Sequence, residues 1–152
     1  LQTYIPDCVF VDIFSGSGGI GIEALSRGAK QAVLVEFGKE ALECIRKNLE
    51  KTKLKDRAVV LPVEVAYGVS KLEKMGQVFD LVYADPPYKK GFEPKILSIL
   101  ADSSIVKKGT KVILETSLDT EPDYIDESRY ELLKVKKYKT NQHVFVQRVL
   151  EK

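Results

Sequence analysis

The sequence predicts an α/β fold, a mostly parallel sheet with helices on both faces and an antiparallel hairpin at its C-terminal end. Three observations carry this. Short apolar runs alternate with stretches patterned at helical spacing over the first 116 residues, and such alternation implies a parallel sheet covered on both sides. The run "FDLVYA" is too apolar to face water on either side. The last two β-rich segments have no helix between them, so they are expected to pair with each other at one edge.

Each element follows in order. "VFVDIF" (9–14) reads as the first strand, and "GIGIEALSRG" (19–28) as a short helix that Gly28 stops. "AVLVE" (32–36) is the second strand. "KEALECIRKNLEK" (39–51) places Ala41, Leu42, Ile45 and Leu49 on one helical face, with charges opposite. "AVVLPV" (58–63) is the third strand, "YGVSKLEKM" (67–75) a short helix and "FDLVYA" (79–84) the fourth strand. "FEPKILSILAD" (92–102) is a helix with an early proline, and "KVILET" (111–116) the fifth strand. "YELLKVKKYK" and "HVFVQRVL", joined by a turn at "TNQ", complete the sheet. No repeat or linker interrupts the 152 residues, so one domain spanning 1–152 is expected, with enough chain to bury a core.

The formal net charge of +2 argues neither for nor against a nucleic-acid partner. Basic residues nevertheless cluster: Arg46 to Arg57 holds six Lys/Arg against two acids, Lys89 and Lys90 follow a proline pair, and "KVKKYK" lies near the C-terminus. Each cluster is first of all a solvated surface. Cys8 and Cys44 are too few and too far apart for a disulfide framework or a zinc site, and are expected to be small buried apolar residues in a reducing cytoplasm. No apolar run is long enough to cross a membrane, and no signal-peptide pattern opens the chain. The chain opens at "LQTYIPDC", without Met and almost on its first strand, so an upstream segment is expected.

Ligand sites in open parallel sheets lie beyond the C-terminal strand ends, where strand order reverses. That rule singles out Asp12 to Gly21, Glu36, Glu64 and Asp85 to Tyr88. "FSGSGGIG" contains Gly16-x-Gly18-x-x-Gly21, and Glu36 follows twenty positions after Gly16. Glycines let the backbone approach a ligand, and the helix N-terminus offers N–H groups to an anion. Glu36 at a strand end suits the two hydroxyls of a ribose, which both NAD and S-adenosylmethionine possess. Asp12 separates the two cofactors. A carboxylate at that junction repels the pyrophosphate of a dinucleotide but suits the ammonium of S-adenosylmethionine; alternatively it caps and ties down the loop.

"ADPPY" points to the chemistry. An exocyclic amino group on a nucleobase is a poor nucleophile, because its lone pair is delocalised into the ring. Methylating it requires acceptors that hold the N–H bonds and turn the lone pair toward the methyl donor. Asp85 and a main-chain carbonyl of the Pro86–Pro87 step supply two, and proline keeps them aimed. Tyr88 then stacks on the base. The nucleotide must be unpaired or flipped out to reach such a pocket. No metal is expected, since a sulfonium already carries an activated methyl. The competing reading is a strand-terminating turn with a packed tyrosine. His143, the sole histidine, is expected at the surface or at a sheet edge and not as a base.

"VDIFSGSGGIGIEALSRGA", "LVE" and "FDLVYADPPY" resemble the RsmD-like family of bacterial methyltransferases that modify N2 of a guanine in 16S ribosomal RNA, and the resemblance runs over nearly the whole chain. It implies a Rossmann-like, seven-stranded methyltransferase fold and S-adenosylmethionine as donor, with S-adenosylhomocysteine as product. It also implies Asp85, Pro86, Pro87 and Tyr88 as the catalytic segment. Asp12, Phe14, Ser15, Gly16, Ser17, Gly18, Glu36, Phe37, Glu64 and Val65 become cofactor contacts, and Lys89, Lys90 and Arg27 candidate RNA contacts. The partner implied is ribosomal RNA or a small-subunit assembly particle, met by a cytoplasmic monomer. Two departures stand out: Glu64 occupies a position where the family usually has Asp, and the family's basic N-terminal extension is missing. Rival functions are methylation of adenine N6 or another nucleobase amine on DNA or RNA, and a nucleotide-binding module without turnover.

Overall fold

A computed structural model describes residues 5–14, 18–86 and 91–149. The elements are β1 (Val9–Ile13), α1 (Gly19–Ser26), β2 (Gln31–Val35), α2 (Lys39–Thr52), β3 (Ala58–Leu61), α3 (Val65–Lys74), β4 (Phe79–Ala84), α4 (Phe92–Ala101), β5 (Val106–Thr116), β6 (Tyr130–Lys137) and β7 (Gln142–Arg148), with a 3-10 turn at Lys55–Arg57 before β3. The strands form one seven-stranded sheet in the order β3-β2-β1-β4-β5-β7-β6. β1 to β5 pair in parallel, while β7 pairs antiparallel with both β5 and β6. The expected parallel sheet with a C-terminal hairpin is what the chain forms.

Burial on both sides explains the unbroken apolar runs. On one face Val11, Ile13, Val33, Val35, Val82 and Ala84 meet Val69 and Leu72 of α3 and Ile96, Leu97 and Leu100 of α4. On the other, Phe10, Leu81, Tyr83, Ile113 and Phe145 pack with Ala24 and Leu25 of α1, and Leu34 meets Ile45 and Leu49 of α2. Each such side chain contributes about 1.5–3 kcal/mol on burial. Polar bonds fix the layers in place: the Tyr130 hydroxyl donates to the Leu97 carbonyl at 2.7 Å, and the Val9 N–H donates to the Asp80 carboxylate at 2.8 Å.

Two elements and one cysteine depart from the sequence expectation. β5 begins at Val106, not at 111, because Val106 pairs with Phe79 across a register shift that the Thr110 hydroxyl bridges by donating to the Phe79 carbonyl at 2.7 Å. "VKKGT" looks like a turn, yet it continues the strand. α3 begins two residues early, since extended Glu64 already serves as its N-cap. Cys8 is buried as expected, and burial foremost pushes its thiol up to about 11; Cys44 instead lies exposed on the outer side of α2.

One glycine is fixed by close approach. A Cβ on Gly21 would run into Leu34 Cδ2, and Leu34 is fully buried against Ile45 and Leu49 of α2. Alanine in a helix is intrinsically favoured by about 1 kcal/mol over glycine, but overpacking costs about 1–3 kcal/mol. Gly21→Ala is therefore expected to lower the urea midpoint, and adding Leu34→Val is expected to recover part of the loss. A stabilised Gly21→Ala would show that the α1–β2 contact is looser than this geometry.

Candidate active site

Parallel pairing brings Ile13, Val35, Leu61 and Ala84 to one edge of the sheet. Strand order reverses at β1, which lies between β2 and β4, so the segments leaving β1 and β4 diverge and open a crevice there. Phe14 leaves β1 with φ 62°, a left-handed conformation uncommon for a bulky residue. Its ring packs on Phe92 of α4 with centroids 6.2 Å apart.

Beside this contact lies a cavity of about 400 Å³ lined by Phe14, Val35, Glu36, Phe37, Gly38, Val63, Glu64, Val65 and Phe92. It brings together five of the expected cofactor residues: Phe14, Glu36, Phe37, Glu64 and Val65. Glu36 directly follows β2, and its Oε2 accepts the Gly38 N–H at 2.8 Å, which fixes the carboxylate at the start of α2. Glu64 is exposed at the N-cap of α3 with no side-chain cap hydrogen bond of its own. Phe92 and Val63 were not singled out from sequence; both wall the cavity from elements whose position depends on strand order. A second hollow, about 330 Å³ between α2 and β3, contains none of the expected site residues.

Asp12 is 1% exposed. Burial above all, then the Asp85 carboxylate, raises its pKa well above the ordinary carboxylate range, against the Gly21 N–H that it accepts. It thus ties the first turn of α1 to β1. Gly18, the other described glycine expected at the cofactor, caps α1 with φ 82°.

Asp85 follows β4 immediately, ahead of buried Pro86. Its side chain keeps contact with solvent, yet partial burial and then the Glu115 carboxylate push it up to about 6. Ala84 pairs with Leu114 in parallel register, so Asp85 and Glu115 are the next residues along two neighbouring strands. Glu115 in turn pairs with His143 on β7. The Tyr83 hydroxyl, at the end of a fully buried side chain, donates to Glu115 Oε1 at 2.5 Å. His143 Nε2 lies 3.5 Å from that hydroxyl and 3.6 Å from Glu115 Oε1. Tyr138 covers the outer side of the imidazole edge-on, at 4.8 Å. His143 is not at the surface or sheet edge expected of it: β7 lies between β5 and β6, its side chain is 15% exposed, and burial pushes its pKa down. Glu115 and Tyr83 escaped sequence reasoning, because only the β4-β5-β7 order makes neighbours of residues 85, 115 and 143.

Ser15, Gly16, Ser17, Pro87, Tyr88, Lys89 and Lys90 lie outside the described residues. Arg27 is not brought to the site. It ends α1 at the far end of the sheet, where its Nε contacts Glu23 Oε2 at 2.6 Å and the neighbouring Gly28 carbonyl accepts the Asp7 N–H.

With this geometry established, comparison with known proteins is informative. Ribosomal RNA small subunit methyltransferase D of Haemophilus influenzae is 29% identical over 119 residues, covering 78% of this chain and 62% of that protein. The chain spans about three fifths of the length of the curated relatives it matches. A solved structure of a conserved hypothetical protein from Streptococcus pyogenes superposes with a TM-score of 0.84 at 31% identity, covering 96% of this chain and 89% of that one. The ribosomal protein L11 methylase of Lactobacillus delbrueckii shares the fold at a TM-score of 0.73 and 15% identity, over 98% of this chain and 74% of that one. The seven-stranded sheet is thus a fold shared with proteins named as methylases. The family model described as "Conserved hypothetical protein 95" matches residues 1–147, and with the relatives named D it shows that this chain belongs to that RsmD-like family.

Proposed function

We propose that this chain is an S-adenosylmethionine-dependent methyltransferase that modifies the N2 amino group of a guanine in small-subunit ribosomal RNA, in the cytoplasm. One observation carries the reading. Asp85 sits at the C-terminal end of β4, next to the strand-order reversal, across the crevice from a cavity whose rim holds an oriented carboxylate, Glu36. The name of the Haemophilus relative supports ribosomal RNA as the substrate class.

The residues present fit the cofactor. Glu36, held by the Gly38 N–H, offers acceptors to a ribose diol. Phe14, Val63 and Phe92 give the cavity apolar walls suited to an adenine, and Glu64 stands at the α3 N-cap as an acceptor for its amino group. Buried Asp12 holds the first turn of α1 to β1 through the Gly21 N–H. When bound, the cofactor supplies a methyl group activated by a sulfonium. The chain's own residues do the rest. Asp85 and a carbonyl of the Pro86–Pro87 step accept the amine N–H bonds and direct its lone pair, Tyr88 holds the plane of the base, and Lys89 and Lys90 meet phosphates. This is catalysis by orientation, worth a factor of 100 or more when an attacking atom is misplaced by about 1 Å.

Calorimetry tests the cofactor site. Glu36→Ala is expected to weaken S-adenosylhomocysteine binding roughly 10- to 100-fold, since hydrogen bonds to a charged group are worth about 1.5–3 kcal/mol. Unchanged affinity would remove Glu36 from the site.

Asp85 predicts a pH dependence. Transfer requires the carboxylate, so kcat/KM is expected to fall as pH drops through about 6, with the limb absent in Asp85→Asn. That variant is expected to lose activity roughly 100-fold while keeping its affinity for S-adenosylhomocysteine. Stability runs the opposite way. A carboxyl raised in the folded state favours folding below its unfolded pKa, a contribution lost as pH rises through about 6. At pH 8 Asp85→Asn is therefore expected to be more stable than wild type, by about 1 kcal/mol once solvent screening of this open side chain is allowed for. A less stable variant would mean that the Asp85 carboxylate is held by favourable partners.

A further inference from the structure

We infer that Glu115 selects guanine: its carboxylate, one strand over from Asp85, accepts the ring N1–H that adjoins the amino group being methylated. The inference rests on the proposed reaction and names the residue that decides which base undergoes it.

Base chemistry supplies the first step. Three common nucleobases carry an exocyclic amine, and each places a ring nitrogen beside it on the Watson–Crick edge. In guanine that nitrogen is N1–H, a donor. In adenine it is N1 and in cytosine N3, both bare acceptors. A second carboxylate next to the amine-orienting one therefore pairs with guanine and opposes its lone pairs to those of the other two.

The sheet builds that second carboxylate. Ala84 and Leu114 are register partners; Asp85 directly follows β4 and Glu115 is the next residue of β5, which runs on to Thr116, and neighbouring strands stand about 4.8 Å apart. Two acceptors at that separation can reach a single base edge. After burial, the Glu115 carboxylate is what pushes Asp85 up, so the two repel. Donors from guanine N1 and N2 would relieve this repulsion; the bare nitrogen of adenine or cytosine would not.

Glu115 is also prepared for the task. The Tyr83 hydroxyl anchors Oε1 from within the core, and His143, itself packed between Tyr83 and Tyr138, limits its swing. The imidazole is pushed down by burial, so at neutral pH it steers the carboxylate without cancelling its charge. About 18% of the Glu115 side chain remains accessible, at the strand ends where the base must lie. A half-buried carboxylate beside another carboxylate costs stability, and an apolar residue would pack there more cheaply.

The test exchanges a donor for an acceptor on the base and an acceptor for a donor on the protein. Small subunits lacking the modification are reconstituted with RNA bearing guanine or 2-aminopurine at the position that mass spectrometry identifies as methylated. 2-aminopurine keeps the N2 amine but has a bare N1 and lacks O6, a loss common to every variant, so the change in preference between variants carries the test. Wild type is expected to prefer guanine roughly 10- to 100-fold in kcat/KM, the value of one hydrogen bond to a charged acceptor. Glu115→Gln, whose amide can donate to a bare N1, is expected to erase or invert that preference. Glu115→Asp keeps an acceptor and is expected to retain the preference at reduced rate, and unchanged S-adenosylhomocysteine affinity checks the fold of both. If Glu115→Gln slows both substrates by the same factor, the residue is structural and the inference falls. If wild type methylates no guanine at all, the proposed reaction itself is overturned, and this inference with it.

Discussion

Everything at this site depends on β1 pairing in parallel with β2 on one side and β4 on the other. Because the connections through α1 and α2 pack on one face and those through α3 and α4 on the opposite face, the chain leaving β1 and the chain leaving β4 turn away from each other. The gap between them is a consequence of topology, and it fixes which residues can become neighbours. Asp12 lies opposite Tyr83, Tyr83 reaches Glu115, and Asp85 stands where β4 ends. The lower end of the same pairing is closed by the Val9 N–H on Asp80, whose carboxyl, despite partial burial, is held below its ordinary range by that bond and by Lys107. One end of the sheet is thus tied and the other left open.

The open end carries an electrostatic load. Asp12, Asp85 and Glu115 lie close enough that Asp85 raises Asp12 and Glu115 raises Asp85. A sheet selected for stability alone would not gather carboxylates on one face of its central strands. Two local devices make the arrangement tolerable: the Gly21 N–H at Asp12 and the Tyr83 hydroxyl at Glu115. Both donors come from groups that packing already immobilises, so they offset part of the repulsion without further ordering. The remaining repulsion is what a cationic cofactor and an N–H-bearing base edge would remove, which gives the unfavourable cluster a physical reason.

Sequence patterning reads such a molecule unevenly. Strand ends announce themselves: Phe14, Glu36 and Glu64 each follow an apolar run, and the rule for parallel sheets alone singles them out, whereas Phe37 and Val65, which line the same cavity, enter only through the family resemblance. Glu115 also follows an apolar run, yet nothing marks it, since its importance comes from β5 lying beside β4 and from β7 returning antiparallel along β5. Hairpin insertion is invisible to periodicity. Cys44 misleads for a different reason. It occupies the polar side of α2, where a small residue is tolerated at the surface, and the two buried positions nearby, Ile45 and Leu49, already fill the contact with Leu34. The early start of β5 escapes because Gly109 and two lysines break the apolar pattern, although the backbone pairing survives across the register shift.

The contact between Phe14 and Phe92 joins the two halves of the site. Phe14 ends the strand that leads into the glycine loop, and Phe92 opens α4 just after the segment that contains Asp85. A bulky residue at φ 62° carries about 1–2 kcal/mol of backbone strain, and ring packing at 6.2 Å with burial against the α3–α4 core offsets it. The conformation of the β1 exit is therefore maintained by a residue at the start of α4, and the entry to α4 is buttressed by one at the exit of β1. Neither segment can shift without altering the wall of the cavity, which both rings line. In the proposed reaction, the same aromatic pair would set both the position of the methyl donor and that of the amine that receives it.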